Sequence, residues 1–257
     1  RLTDVTGVQT CALPISSTLL FAPTNTAFKN LMAEGFRPEN IAPYTINNPR
    51  VFLTGDIMYD NSLFYADLAE KKKQDFMEGL KLTENEYMLA TIHRDMNTDD
   101  PERLTAIFST LLELAENNSV RMVMPLHPRT MIALRNRVPD LYQSLTESRY
   151  ITVVRPVSFL EMIMLEKKAR LIITDSGGVQ KESHFFSKPC IVLRKETEWV
   201  ELVKNGTVRL ADADPVRIRE AWNYFMNNSE VLQYPAFYGD GKAAVTMLRE
   251  ILEIFRS

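Results

Sequence analysis

Hydrophobic positions along the chain fall into two alternating patterns. Residues 19–22, 87–92, 120–126, 151–154, 171–174 and 190–193 are almost continuously apolar or β-branched. Such runs are expected of strands covered on both faces in a parallel sheet. Between them, apolar residues recur at helical spacing. Asp100 followed by Pro101 is a helix start signal, an N-cap with proline at the first helical position. Leu104, Ile107, Phe108, Leu111, Leu112 and Ala115 then form an apolar stripe. The spacing predicts further helices over 26–34, 131–145 with an interruption at Pro139, 159–167, 178–186 and 243–255. The last carries Val245, Leu248, Ile251, Leu252 and Phe255 on one face.

This alternation predicts an α/β fold, a Rossmann-like doubly wound parallel sheet joined by right-handed crossovers. The pattern places the sheet domain at 50–235 and a separate C-terminal helix in 236–257. Residues 1–16 show neither period, residues 1–18 stand apart from the rest of the pattern, and the chain opens on Arg1. They are read as a non-native junction.

The polar residues sharpen this picture. His93-Arg94, His127-Pro128-Arg129, Arg155, Asp175-Ser176-Gly177-Gly178 and Arg194 each fall just past a predicted strand. In a doubly wound sheet those ends share one edge, and ligands bind in the crevice outside it. Four arginines and two histidines there suit an anion. Ser176-Gly177-Gly178 opens a helix, whose first amides and dipole favour phosphate. A turn that needs glycine only for its geometry fits the same pattern equally well. Glu182 lies one helical turn further on, placed either to accept from a diol or to face solvent. His93 and His127 are either ligand contacts or ordinary strand-end residues, and His184 reads as packing. Glu196 and Glu198 are explained by a helix starting there.

Composition excludes more than it assigns. Among 257 residues, 30 basic and 33 acidic side chains give a net charge of −3, so no global field favours nucleic acid or an anionic membrane. Cys11 and Cys190 are the only cysteines, which fits a reducing cytoplasm rather than a disulfide framework. Three scattered histidines and no cysteine pair give no metal site. The run around Ser176 lacks both the Walker spacing and the G-x-G-x-x-G fingerprint.

Several motifs in order carry a resemblance: Thr91-Ile92-His93-Arg94, His127-Pro128, the run from Thr174 through Glu182, Lys188-Pro189, Leu193-Arg194 and Glu196-Thr197-Glu198. Leu20-Phe21-Ala22-Pro23-Thr24 precedes them, and Tyr238-Gly239-Asp240-Gly241-Lys242-Ala243 closes the series. Over residues 19–257 the chain resembles the non-hydrolysing UDP-N-acetylglucosamine 2-epimerases. The resemblance implies two Rossmann-like domains of GT-B type, with the active site in their cleft. Residues 19–49 then stand as a remnant of the N-terminal domain and linker, and 50–235 as the nucleotide-sugar domain. The C-terminal helix would pack back on the N-terminal domain.

Residue by residue, the resemblance implies that Ser176, Gly177 and Gly178 hold the diphosphate and Glu182 the ribose hydroxyls. It implies that Arg194, Arg94 and His127 contact the substrate, and that His93 touches the phosphates or the reacting sugar. The implied reaction inverts C2 of a UDP-sugar by eliminating and re-adding UDP, without metal or nicotinamide, in a homodimer. The family's acid/base carboxylates belong to the N-terminal domain, so none is assigned here and the chain alone is expected to turn over poorly. Met96 departs from the glutamate many relatives carry after the His-Arg pair. Glu196-Thr197-Glu198-Trp199-Val200-Glu201, with Asn97-Thr98-Asp99-Asp100-Pro101-Glu102-Arg103-Leu104, resembles the branch acting on UDP-2,3-diacetamido-glucuronate, and UDP-N-acetylglucosamine stands beside it as an equal substrate. A GT-B glycosyltransferase and a non-catalytic UDP-sugar-binding module are the alternatives.

Overall fold

The computed structural model describes residues 15–256. It divides into two compact units, one of residues 64–234 and a smaller one of residues 15–63 with 235–256. The predicted junction at 1–18 lies mostly outside the described residues. In the smaller unit, β1 (Leu19–Ala22) leads into α1 (Asn25–Ala33), and β2 (Arg50–Leu53) pairs parallel with β1 from Leu19↔Arg50 to Ala22↔Leu53. The backbone groups of β2 are therefore used outside the larger sheet. The larger unit accordingly begins at Phe64, where the hydrophobic pattern had suggested residue 50.

Helix α2 (Ile57–Lys72) carries the chain into the larger unit, followed by α3 (Gln74–Gly79) and β3 (Tyr87–Thr91). Next come α4 (Asp95–Thr98), α5 (Pro101–Asn117), β4 (Arg121–Pro125), α6 (Pro128–Arg137), α7 (Pro139–Glu147) and β5 (Ile151–Val154). The second half contains α8 (Phe159–Lys168), β6 (Leu171–Thr174), α9 (Gly177–Phe185), β7 (Cys190–Val192), α10 (Val200–Asn205), β8 (Val208–Leu210) and α11 (Pro215–Asn228). A 3₁₀ turn over Ser229–Val231 precedes the return to the smaller unit, which ends in α12 (Ala243–Arg256).

All neighbouring strands of the larger sheet are parallel, in the order β5-β4-β3-β6-β7-β8. The first three strands wind to one side and the last three to the other. The reversal lies between β3 and β6, where a doubly wound sheet opens its ligand crevice. Every residue of β3 and β6 is buried, as their apolar runs predict. Asp100 caps α5 by accepting from Glu102 N and Arg103 N, and Leu104, Ile107, Phe108 and Leu111 are fully buried beneath it. Burying each such side chain contributes about 2 kcal/mol. Asp214 and Pro215 start α11 in the same way, and its Ile218, Trp222 and Phe225 join that core.

The predicted helix over 131–145 is two helices. Val138, just before Pro139, sits at φ −141° and ψ 59° and ends α6. Proline disfavours helical geometry in the residue before it, so the chain breaks there. In the smaller unit, the closing Tyr238-Gly239 run has a backbone role. Gly55 (φ +85°) and Gly239 (φ +89°) cross in contact. A Cβ at Gly55 would lie 2.9 Å from Tyr238 O, and one at Gly239 would lie 3.1 Å from Gly55 Cα. Asp56 N donates to Tyr238 O at 2.9 Å, and Asp60 accepts from Ala243 N and Ala244 N at the start of α12. Among the described residues no helix is long and apolar enough to cross a membrane.

Candidate functional site

Asp175 follows β6 and is completely buried at the reversal point. Its oxygens accept from His93 N at 3.1 Å, Arg94 N at 2.9 Å and Asn97 Nδ2 at 3.0 Å. His93 Nδ1 lies 3.3 Å from Asp175 Oδ1. A carboxylate is tolerated in such a place only with several donors around it. Asp175 thus ties the end of β3 to the end of β6. Below it, the Thr91 and Thr174 hydroxyls meet at 2.7 Å, and Thr174 Oγ1 accepts from Ser176 N at 2.9 Å. Ser176 then caps α9 by accepting from Val179 N at 3.5 Å. Gly177 and Gly178 stand at the positive end of the helix dipole.

Two guanidinium groups converge over this turn. A Cβ added to Gly177 would lie 3.8 Å from both Arg194 Nη1 and Arg94 Nη2, and 3.9 Å from Glu198 Oε2. Arg194 is only 8% exposed, and its fork takes Glu198 at 3.0 and 2.8 Å. That hydrogen bond holds the Glu198 carboxyl below the usual carboxylate range. Glu198 is therefore explained by Arg194 rather than by a helix start, since α10 begins only at Val200. Trp199 Nε1 donates to Gly177 O at 2.9 Å, and the Lys181 ammonium sits 4.5 Å from the Trp199 ring centroid.

A cavity of about 330 Å³ is lined by Thr91, His93, Pro125, His127, Arg129, Pro156, Val157, Met162 and Val179. The His93 side chain is 49% exposed there, so Asp175 secures its backbone and ring orientation while leaving an imidazole edge open. His127 is both a turn residue and a wall: Nδ1 accepts from Arg129 N at 3.3 Å as the cap of α6. Arg155 is exposed after β5, and the following Pro156 and Val157 line the cavity instead. Arg129 pairs with Asp95 and Asp99.

Glu182 lies outside the cavity wall. Burial pushes its carboxyl above the usual range, against the opposing charge of Lys181. Glu166 on α8 is completely buried and raised well above the usual range, first by burial and then by the charge of Glu182. Neither Glu166 oxygen has a hydrogen-bond partner among the described residues. His184 is buried against Tyr234 at 5.5 Å between ring centroids, the packing role its neighbours predict. Among the described residues no group of three or more His, Cys, Asp or Glu is arranged to hold a metal ion.

Sequence reasoning missed Asp175, Asn97, Arg103 and Glu198 as organising residues. Asp175 stands inside the quoted run, and Asn97 lies four residues after His93. Their significance depends on partners about 80 to 100 residues away in the chain, which no local spacing reveals.

Fold and site together define a Rossmann-type unit with two guanidinium groups gathered over a helix N-terminus at its point of reversal. A profile of the family described as UDP-N-acetylglucosamine 2-epimerase matches residues 12–252, and the chain belongs to that family. The match starts ahead of residue 19, where the motifs had placed it. Over 241 residues the chain is 37% identical to a UDP-N-acetylglucosamine 2-epimerase homolog of Methanococcus maripaludis, covering 94% of this chain and 61% of that protein. Over 228 residues it is 39% identical to a UDP-2,3-diacetamido-2,3-dideoxy-D-glucuronate 2-epimerase of Pseudomonas aeruginosa, covering 89% and 58%.

Among solved structures, the UDP-GlcNAc 2-epimerase of Methanocaldococcus jannaschii matches with a TM-score of 0.79 at 32% identity, over 92% of this chain and 62% of that one. The same enzyme in complex with UDP-GlcNAc and UDP matches with a TM-score of 0.77. The chain therefore spans about three fifths of the length of these relatives. Its larger unit is the C-terminal-like half of a GT-B-type fold.

Proposed function

We propose that this chain is the UDP-gripping part of a UDP-sugar 2-epimerase acting on a 2-acetamido sugar. The observation that carries the reading is the convergence of Arg94, Arg194 and the α9 N-terminus on Gly177. Ser176, Gly177 and Gly178 take the diphosphate there, and Glu182 takes the ribose hydroxyls. The apolar walls of the neighbouring cavity, from Pro125, Pro156, Val157, Met162 and Val179, suit a flat nucleobase. His93 faces the phosphates or the sugar.

In the reaction, the C2 proton is removed while the C1–O bond to UDP breaks. Charge develops on the departing diphosphate, so preorganised guanidinium groups and helix amides lower the barrier. UDP re-adds after protonation on the opposite face. The acid/base carboxylates are assigned to the part of the relatives that this chain does not cover.

Calorimetry with UDP tests the grip, and a C2-inversion assay without any acceptor tests the chemistry. The 257-residue chain should bind UDP at millimolar concentration and show negligible turnover. A longer form carrying the rest of the relatives' length should invert C2 unaided. No UDP binding by the chain overturns the reading. An acceptor requirement in the longer form reassigns it to glycosyl transfer.

A further inference from the structure

Asn97 is an uncharged residue with no exposed surface, yet its side chain makes four hydrogen bonds, as many as the buried carboxylate of Asp175. Its Nδ2 donates to Asp175 Oδ2 and to Leu193 O, both at 3.0 Å. Its Oδ1 accepts from Arg103 Nε at 3.2 Å and Nη2 at 2.8 Å. Arg103 in turn grips Asp212 at 2.5 and 3.3 Å. Burial works to raise the Asp212 carboxyl, but the hydrogen bond and charge of Arg103 outweigh it and hold it below the usual range.

One amide therefore joins three strand ends directly and a fourth through Arg103. Asn97 itself follows β3, Asp175 follows β6, Leu193 follows β7, and Asp212 follows β8. The connections to Asp175 and Leu193 each lead to a cradle group. Asp175 holds the backbone of His93 and Arg94, and Leu193 directly precedes Arg194. A side chain needs two donors and an acceptor at one planar tip to do this. Aspartate keeps the acceptor but loses the donors, and an apolar residue loses both.

We propose that Asn97 is a positioning residue for the diphosphate, setting the spacing of Arg94 and Arg194 over Gly177 through Asp175 and Leu193. The inference rests on the UDP reading above. It assigns Asn97 no contact with ligand. Its substitution should therefore weaken diphosphate binding selectively, whereas a residue that only stabilises the fold would weaken every ligand alike.

The charged groups around position 97 are Asp175, Arg103 and Asp212, with His93 and Arg94 on the far side of Asp175. In the Asn97→Asp variant two carboxyls would face each other. As pH falls they would share one proton, and the protonated oxygen would restore a donor toward Asp175.

NMR titrations with UDP and with uridine, on the wild-type chain and the Asn97→Asp variant, test this. At about pH 8 the variant should bind UDP about tenfold more weakly than wild type, while its affinity for uridine changes by less than about threefold. At about pH 5.5 the UDP ratio should narrow to about threefold. If Asn97→Asp does not fold, Arg103→Lys is the second variant. It loosens the fork but leaves the Asn97 donors in place, and should weaken UDP about threefold with uridine unchanged.

Wild-type UDP binding with variants that match it overturns the proposal and leaves the functional reading standing. Equal losses for UDP and uridine without recovery at low pH also overturn it. Absence of wild-type UDP binding overturns the functional reading, and this inference with it.

Discussion

At Gly177 an added methyl group would meet only ordinary contacts, with its nearest neighbours 3.8 to 3.9 Å away. The empty chain should therefore accept Gly177→Ala without strain. Its melting temperature should hold or rise, because alanine restricts the unfolded chain by roughly 0.4–1 kcal/mol. The same methyl would stand between Arg94 and Arg194, where the proposed diphosphate would sit. UDP affinity should fall about tenfold, or about 1.4 kcal/mol, in calorimetry run beside thermal melts. Matching losses of stability and affinity would mean that Gly177 serves the turn alone. The motifs made this residue legible, together with Arg94 and Arg194, because strand-end positions can be counted along the chain. The pairing of Arg194 with Glu198 was not legible, since acidic residues near a helix start already had an explanation.

At the scale of elements, α8 presents Glu166 to a wholly buried site with no hydrogen-bond partner among the described residues. Its carboxyl is raised in the fold, so the native state keeps its proton to higher pH than the unfolded chain does. Above the ordinary glutamate value the unfolded chain loses that proton first. Stability therefore falls as pH rises through the interval between the two values. Glu166→Gln removes this titration. Wild type should lose several degrees more of melting temperature than the variant between about pH 5 and about pH 8, since ~1 kcal/mol moves a domain of this size by roughly 2–4 °C. Parallel melting curves for the two proteins would show that Glu166 ionises normally.

The apolar runs revealed the strands that are covered on both faces, β3 and β6 above all. They did not reveal β8, only three residues long with an exposed Arg209 at its centre. The pairing of β2 was hidden too, because its partner lies about 30 residues upstream across a helix. The start of α11 carried the same Asp-Pro signal as α5, and its buried Trp222 shows how much of the core that signal announces.

For the molecule as a whole, every residue proposed to bind UDP belongs to the unit of residues 64–234. A ligand stabilises what it binds by mass action. Hydrogen exchange with UDP at about ten times its dissociation constant should slow amides of that unit's core up to about tenfold. Amides of β1, α1 and β2 should keep their rates. Protection there as well would show that the two units respond together. The upstream edge of the two-unit division could not be read from periodicity, because strands and helices look alike on either side of it. Contacts between residues far apart in the chain define it instead.

The crossing of Gly55 and Gly239 has a consequence for how this chain tolerates change. Residues 64–234 are an insertion, and the two backbone strands that lead in and out of it touch at that crossing. In polymer terms the whole Rossmann unit is one loop, closed where those glycines meet. Closure entropy grows only logarithmically with loop size, by about 0.6 kcal/mol per doubling. Turns within the insertion can therefore lengthen or shorten with little effect on its closure. One methyl group at Gly55, by contrast, strikes Tyr238 O at 2.9 Å and acts on the clasp itself.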